Sequence, residues 1–259
     1  MRLLRSFAIA FSMYSRIPVP EVKWEEDDMK YVLVFFPFVG IAIAISEYLI
    51  FILSLRLGTD RVFTSAAAVC IPLVITGGIH MDGYMDMSDA LSSYRSAEER
   101  LRILKDPHIG AFAVIKAVIL TLLYFGGISD IISSGRAELF GLFCLSFTAS
   151  RIGCAAAAVC CRSAKDEGTL YSFVKAADKK TVIILLLAEA VTVILAAVQL
   201  SAGIGIVMVS ATAVSYIICI YTAYKELGGL TGDTAGWMLC IAECSAALSV
   251  TLAGHLLHP

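Results

Sequence analysis

Long apolar runs constrain this chain more than any other feature. Seven segments are apolar over roughly the length that a helix needs to cross a bilayer, which is about 20 residues. These segments lie at 31–55, 62–79, 110–129, 137–161, 181–200, 203–222 and 234–257. The mean hydropathy is +0.83, and 16% of the residues are charged, against about 25% in a typical soluble domain. The sequence therefore predicts an all-α, polytopic integral membrane bundle of about seven transmembrane helices.

Two places in this pattern indicate irregular connections. The run at 62–79 is the shortest and contains Pro72, so we expect a broken or re-entrant segment there. The runs at 181–200 and 203–222 are separated by two residues only, which predicts a tight helical hairpin.

The N-terminal segment is expected to lie on the membrane rather than in it. Residues 3–13 are apolar but too short to span, and Arg5 interrupts them. An interfacial amphipathic helix is therefore expected, rather than a cleaved signal peptide. Because the sequence shows no long linker and no clear repeat, residues 1–259 are predicted to form a single domain.

The distribution of basic residues gives an orientation. Of the 20 lysines and arginines, 15 fall in connections that would share a side with the N-terminus, namely 1–30, 80–109, 162–180 and 223–233. The three on the opposite side are Arg56, Arg61 and Arg136. Cytoplasmic loops are enriched in Lys and Arg, so the bias supports seven spans and predicts a cytoplasmic N-terminus. The net charge of −2 reflects this topology and does not indicate nucleic-acid binding.

The ten residues from His80 to Asp89 hold the most informative polar cluster. If they form a helix, Asp82, Asp86 and Asp89 lie at i, i+4 and i+7, on one face. Like charges at this spacing repel one another, so we expect a hard divalent cation with oxygen ligands in front of them. Gly83 leaves room there for a backbone or a ligand to approach closely. The alternative is a solvated acidic helix start, which the membrane edge and the neighbouring glycines make less favourable.

Further polar segments are expected on the same side as this cluster. The connection at 228–237 places glycines and Thr231, Asp233 and Thr234 before the last run, as in a phosphate cradle at a helix start. The same residues fit an ordinary turn with a helix N-cap, and Asp233 could serve both purposes. Arg16 and Lys165 lie in two other connections and are candidate phosphate ligands.

Five ionisable residues fall inside the apolar runs, namely Glu47, Lys116, Arg151, Glu189 and Glu243. Such groups are costly in lipid and normally face a bundle interior or a polar cavity. Arg151 is interpreted either as a bidentate phosphate ligand or as the structural partner of Glu189 or Glu243. Glu47 and Lys116 are expected to form structural pairs or to reach toward the interface.

These groups together favour phosphoryl or nucleotidyl transfer at a membrane surface. In such a reaction, metal ions neutralise the phosphates, basic side chains hold the anionic substrate, and a base deprotonates the attacking hydroxyl. The aspartates are candidates for the first task, and Arg16, Arg151 and Lys165 for the second. His80 is the candidate base or substrate contact, with a metal ligand or a structural interfacial residue as alternatives.

The order of the motifs resembles one known family. Gly77-Gly78-Ile79-His80-Met81-Asp82-Gly83, followed by Asp86 and Asp89, is similar to the G-G-x-H-x-D-G-x-x-D-x-x-D signature of the adenosylcobinamide-GDP ribazoletransferase family, also called cobalamin synthase. The similarity runs along most of the chain. Further family-like elements are Arg16-Ile17-Pro18-Val19-Pro20, Asp106 with Ile109-Gly110, Arg151, and Gly232-Asp233-Thr234 with Gly236 and Glu243.

Two segments depart from the family pattern. The family usually continues the third aspartate with glycines, whereas this chain continues with Ala90-Leu91-Ser92-Ser93. Pro107 and His108 stand where a serine and often a basic residue are usual. We expect these departures to affect fine substrate preference more than the class of reaction.

The resemblance implies a membrane transferase of nucleotide loop assembly, late in cobalamin biosynthesis. Such an enzyme transfers the adenosylcobinamide-phosphate moiety of adenosylcobinamide-GDP to α-ribazole or its 5′-phosphate, releases GMP and requires Mg²⁺. The implied catalytic residues are His80, Asp82, Asp86 and Asp89, and the implied Mg²⁺ ligands are Asp82, Asp86, Asp89 and Asp233. The implied substrate and phosphate contacts are Arg16, Asp106, Arg151, Lys165, Asp233 and Glu243. The expected partners are the corrinoid and α-ribazole substrates and the bilayer, with a cytoplasmic active site; a homo-oligomer is left open.

Two other functions are kept as alternatives. A CDP-alcohol phosphotransferase also has an Asp-Gly-initiated aspartate cluster, D-G-x-x-A-R-x₈-G-x₃-D-x₃-D. Here, Met85-Asp86 replaces Ala-Arg and the later aspartates follow too closely. An ion-coupled transporter would use the intramembrane charges as a relay, but it predicts access from both sides and often inverted repeats, which the sequence does not show.

Overall fold

The structure is a computed structural model that describes residues 2–257. Within this range the chain forms twelve α-helices and no strand beyond an isolated bridge between Ser163 and Leu230. The helices are α1 (Arg2–Tyr14), α2 (Glu26–Met29), α3 (Val32–Leu57), α4 (Arg61–Thr76), α5 (Ile79–Ser92), α6 (Ala97–Ile103), α7 (Ala111–Ser134), α8 (Ala137–Cys160), α9 (Thr169–Ala176), α10 (Lys179–Leu200), α11 (Ala202–Leu227) and α12 (Gly232–Leu257). The predicted all-α class is confirmed.

Six of these helices are long and apolar enough to cross a membrane, namely α3, α7, α8, α10, α11 and α12. Helices α4 and α5 meet the same test only as a pair, and they are bent by 94° where they join. The protein is thus a multi-pass membrane bundle with six spanning helices, or seven if the bent pair counts as one span. The cytoplasmic location of the N-terminus stays a prediction.

The bend between α4 and α5 is made by two glycines. Gly77 and Gly78 have φ angles of 65° and 79°, in the left-handed region that side-chain-bearing residues disfavour. Pro72 lies inside α4 instead of at the break. The predicted broken segment is therefore confirmed, but glycine geometry, not the proline, sets its position.

The connection between α10 and α11 is as short as the sequence suggests. Ser201 alone separates the two helices; its N–H donates to the Ala197 carbonyl at 3.1 Å, and its carbonyl accepts from the Gly205 N–H at 2.7 Å. The predicted tight hairpin is confirmed. The predicted N-terminal helix is also present as α1, where Ser6 Oγ donates to the Asp28 carbonyl at 2.6 Å.

Helices α8 and α12 form the centre of the bundle. In the most apolar 18-residue stretch of each span, 72% is buried in α8 and 67% in α12, against 22% in α3, α7 and α10. Helix α12 packs on α11, α5, α8 and α7. Because α5 also packs on α7, it lies between the spans α7 and α12 at one end of the bundle.

The long connections pack together at that same end. Residues 162–164 pair with Leu230, where Ala164 N–H donates to the Leu230 carbonyl at 2.8 Å. Lys165 Nζ donates to the Leu101 carbonyl at 3.0 Å, and the rings of Trp24 and Phe173 lie 5.7 Å apart. The connections that the basic residues assign to one side thus meet in the folded chain.

Candidate active site

A cavity of about 520 Å³ opens where these connections meet. Its walls come from the end of α1, the starts of α3, α5 and α12, the end of α8, and residues 163–171. Of the predicted site residues, those that line it are His80, Asp82, Lys165 and Asp233. The cavity therefore brings together residues from three separate sequence motifs.

The predicted aspartate face is present on α5. Residues 79–92 are helical, so Asp82, Asp86 and Asp89 follow one another along the helix as expected. Asp82 is exposed, whereas Asp86 is half-buried and lies within electrostatic range of Asp82, Asp89 and Asp233. The charges of three other carboxylates thus act on Asp86.

The helices α5 and α12 approach each other backbone to backbone at two glycines. A Cβ on Gly83 would lie 2.9 Å from the Asp233 carbonyl oxygen, and a Cβ on Gly236 would lie 2.8 Å from the His80 carbonyl oxygen. Any larger side chain at either position would push the helices apart. The expected close approach at Gly83 is confirmed, and it places the start of α5 beside Asp233.

The start of α12 is capped by threonines and not by Asp233. Thr231 Oγ1 accepts from Thr234 N–H at 3.2 Å, and Thr234 Oγ1 accepts from Thr231 N–H at 2.8 Å. The Asp233 carboxylate accepts a long hydrogen bond from Thr231 Oγ1, at 3.5 Å. The turn-and-cap interpretation thus applies to the threonines, and the Asp233 carboxylate is available to the cavity.

The donor chemistry of this cluster fits a hard cation, although the side chains are not gathered around one point. Residues 2–257 contain no group of three or more His, Cys, Asp or Glu side chains arranged closely enough to hold a metal ion. In the same range, no ion pair joins Asp82, Asp86 or Asp233 to a basic side chain. Uncompensated carboxylate oxygens are the ligands that Mg²⁺ prefers, so the residues present are compatible with it.

His80 forms part of the floor of the cavity. It is 9% exposed, and its ring centroid lies 6.2 Å from that of Tyr14 and 5.7 Å from that of Phe36. Its Nε2 atom is buried and has no hydrogen-bond partner among the described residues. Tyr14 and Phe36 also line the cavity and were not predicted; aromatic residues in apolar segments carry no signal that separates a cavity wall from a core.

Two lysines also line the cavity. Lys165 is in the cavity lining as predicted, and Lys105, which was not predicted, lies beside it. Lys105 Nζ pairs with Glu167 Oε1 at 2.7 Å. Desolvation, followed by the charge of Lys105, lowers the pKa of Lys165. The position of Lys105 just before the Asp106 motif is the signal that could have identified it.

Arg151 and Glu243 lie deeper, outside the lining of the large cavity. Arg151 is fully buried, and its Nη1 donates to Glu243 Oε1 at 2.7 Å and to the Phe147 carbonyl at 2.8 Å. Both residues line a smaller cavity of about 40 Å³ that also touches His80. Of the two interpretations of Arg151, these contacts match the structural pair, with Glu243 as the partner.

Four other predicted residues, Asp86, Asp89, Arg16 and Asp106, do not line the cavity. Asp89 accepts hydrogen bonds from Gly110 N–H at 2.6 Å and Ala113 N–H at 2.8 Å. Arg16 is exposed, and its side chain packs against Gly77 at the bend. Asp106 accepts from His108 N–H at 3.0 Å, and this bond lowers the pKa of the Asp106 carboxyl. Their predicted roles in binding stay predictions.

Comparison with known proteins agrees with the order of the motifs. A model of the cobalamin-5-phosphate synthase family matches residues 6–251. An adenosylcobinamide-GDP ribazoletransferase of Lachnoclostridium phytofermentans is 39% identical over 253 residues, which cover 98% of this chain and 95% of that protein. Proteins of the same name from Clostridium botulinum and Clostridium perfringens are 33% and 31% identical, over 96% and 94% of this chain and 98% and 96% of theirs. No solved structure matches.

The family match covers the cavity-lining motifs as well as the spans, and the relatives align over nearly their whole length. The chain therefore belongs to the cobalamin-5-phosphate synthase family and is a membrane-embedded transferase of cobalamin biosynthesis.

Proposed function

We propose that this protein transfers the adenosylcobinamide-phosphate moiety of adenosylcobinamide-GDP to α-ribazole or its 5′-phosphate, with release of GMP. The names of its relatives support these substrates. The observation that carries the proposal is the close approach of α5 and α12, which brings Asp82 and Asp233 onto one cavity that Lys165 also lines. Acidic and basic groups facing one space suit a reaction at a pyrophosphate.

The proposed reaction exchanges one phosphorus–oxygen bond for another. A ribose hydroxyl of α-ribazole attacks the phosphorus attached to cobinamide. The bond from that phosphorus to the oxygen shared with the GMP phosphate breaks, and GMP leaves with that oxygen. The hydroxyl proton passes to a base, and His80 lines the cavity where this group is needed.

Mg²⁺ is the proposed cofactor. Asp82, Asp86 and Asp233 would hold it, since their carboxylates lie within mutual electrostatic range and no basic side chain of the described structure pairs with them. The ion would neutralise charge on the pyrophosphate when bound. The protein adds Lys165, which is placed to attract the phosphates, and the backbone amides at the start of α12, which favour anions.

The proposed location is the cell inner membrane, with the cavity on the cytoplasmic side. The support is the excess of lysine and arginine in the connections that pack around the cavity. Substrates that carry phosphate would reach the site from water through the gathered connections, not through the lipid.

The decisive experiment measures GMP release by the purified protein in liposomes. Adenosylcobinamide-GDP is supplied with and without α-ribazole and Mg²⁺, and Asp82→Asn is compared with Glu98→Gln, an exposed carboxylate on α6. We expect release that needs both additions, is lost in Asp82→Asn and is normal in Glu98→Gln.

Full activity of Asp82→Asn would contradict the assignment of the site. Absence of GMP release from folded wild-type protein would contradict the reaction, and CMP release from a CDP-alcohol would then identify the lipid phosphotransferase alternative. Family membership favours the proposed reaction over that alternative and over a transporter.

A further inference from the structure

The carboxylate of Asp89 is turned away from the large cavity and toward the start of α7. Its Oδ2 accepts from Gly110 N–H at 2.6 Å, and its Oδ1 accepts from Ala113 N–H at 2.8 Å. Gly110 is the N-cap residue of α7 and has no side chain that could make these bonds. Asp89 thus provides, from another helix, the cap that a local Ser or Asp normally provides, and its negative charge is favourable there.

Two further contacts join the same pair of helices. Tyr84 Oη donates to the Lys116 carbonyl, and Lys116 Nζ donates to the Ser88 carbonyl, both at 3.3 Å. Helix α5 is therefore fastened to α7 from Tyr84 to Asp89. By contrast, the carboxylates of Asp82 and Asp86 make no hydrogen bond or ion pair within residues 2–257.

Glycine at position 110 leaves room for the Asp89 carboxylate to reach the two amides. A Cβ on Gly110 would lie 2.5 to 2.7 Å from the three carboxylate atoms of Asp89. An alanine there would displace the carboxylate from the two amides. The aspartate motif and the segment that ends at Gly110 thus contact each other through Asp89 and Gly110.

We propose that Asp89 is a positioning residue that fixes α5 on α7, and thereby directs Asp82 and Asp86, and that it is not a ligand of the divalent cation. Both of its oxygens already face amide donors, and turning them to a cation would leave the start of α7 without its cap. The proposal rests on the proposed function for the reaction that this positioning serves.

The test compares three variants of the full-length protein in detergent, namely Asp82→Asn, Asp89→Asn and Gly110→Ala. Gly126→Ala is the matched control, because Gly126 is a helical glycine of α7 with open space around its Cβ position. Three quantities are measured: Mn²⁺ bound without substrate, by electron paramagnetic resonance; hydrogen exchange of residues 110–113, by mass spectrometry; and the kinetics of GMP release.

We expect Asp82→Asn to lose Mn²⁺ binding, while Asp89→Asn and Gly110→Ala keep it with a Kd within about twofold of wild type. In the latter two, exchange at 110–113 becomes about five- to tenfold faster, as after loss of a capping bond. Both lower kcat by roughly 10- to 100-fold through misplaced carboxylates. A fourth variant that combines Asp89→Asn with Gly110→Ala should have a kcat no lower than that of either single variant, because the two changes break the same contact.

Loss of Mn²⁺ binding in Asp89→Asn to the extent seen in Asp82→Asn would make Asp89 a ligand and overturn the proposal. So would unchanged exchange at 110–113 in both Asp89→Asn and Gly110→Ala. If the wild-type protein releases no GMP, the proposed function fails, but the exchange and Mn²⁺ comparisons still decide the role of Asp89.

Discussion

The guanidinium of Arg151 and the carboxylate of Glu243 form an ion pair at 2.7 Å between α8 and α12, the two most enclosed spans. Ser150 Oγ donates to the same carboxylate oxygen at 3.3 Å, and the Tyr216 hydroxyl donates to the Ser150 carbonyl at 2.6 Å. The pair is therefore part of a polar network that fixes the centre of the bundle beneath His80.

Breaking this pair from one side should be costly. We expect Arg151→Met to destabilise the protein by ~3–5 kcal/mol, because it leaves a buried carboxylate without its partner. The combined Arg151→Met and Glu243→Leu variant should lose less than the sum of the single variants. Unfolding by denaturant in detergent measures these differences.

The exposed pair of Arg95 and Glu99 offers a control of the same chemistry, and Arg95→Met should change the stability by no more than ~0.5 kcal/mol. A stable Arg151→Met protein that loses only its affinity for adenosylcobinamide-GDP would instead support direct phosphate binding by Arg151.

The crossing of α5 and α12 should tolerate no added carbon atom. In Gly83→Ala and Gly236→Ala, the new Cβ meets backbone atoms of the facing helix at less than 3 Å. We expect GMP release to fall by roughly 10- to 100-fold, because separation of the helices moves Asp82 from Asp233. Gly126→Ala is the control and should be neutral, or stabilising by up to ~1 kcal/mol. Normal kinetics in both site variants would show that the helices need not approach so closely.

Capping and chemistry should be separable at the start of α12. Thr231→Val removes the oxygen that accepts from Thr234 N–H, so we expect a stability loss of ~1 kcal/mol and a folded, active protein. Asp233→Asn keeps the cap, and it should abolish GMP release with little change in stability. Melting curves and turnover of the two variants, measured side by side, test this. The reverse pattern would mean that Asp233 is the structural residue of this turn.

The alkaline side of the pH profile should depend on Lys105. Burial and the charge of Lys105 lower the pKa of Lys165, so Lys165 loses its proton at a lower pH than an ordinary lysine. If protonated Lys165 binds the phosphates, kcat/KM for adenosylcobinamide-GDP falls as the pH rises through this pKa. Lys105→Gln removes one of the two causes, so the pKa rises and the fall should move to higher pH.

The matched control is Lys175→Gln, because Lys175 is an exposed residue of α9 outside the cavity lining. This variant should not change the pH dependence of kcat/KM. A shift to lower pH in Lys105→Gln would contradict the role given to Lys165.

Much of the fold follows from local patterns. The apolar runs predict the spanning helices and the tight hairpin between α10 and α11, because burial in lipid acts on each segment separately. The helical spacing of Asp82, Asp86 and Asp89 is also confirmed, by α5. The resemblance to the cobalamin synthase family, carried by motifs in their order, is confirmed by the family match. The broken second segment was predicted from Pro72, whereas the positive φ angles of Gly77 and Gly78 make the break.

What the sequence by itself determined is the set of helices, the family and the list of polar residues on one side. The tertiary structure decided which of those residues face the cavity. Asp82 and Asp233 line one cavity because α5 and α12 cross at two glycines. Asp89, on the same helix as Asp82, instead accepts hydrogen bonds from amides at the start of α7. Arg151 forms an ion pair with Glu243 for a similar reason, since both are buried and each is the charge nearest to the other. A side chain's partner depends on groups that are distant in sequence, and helical periodicity carries no information about them.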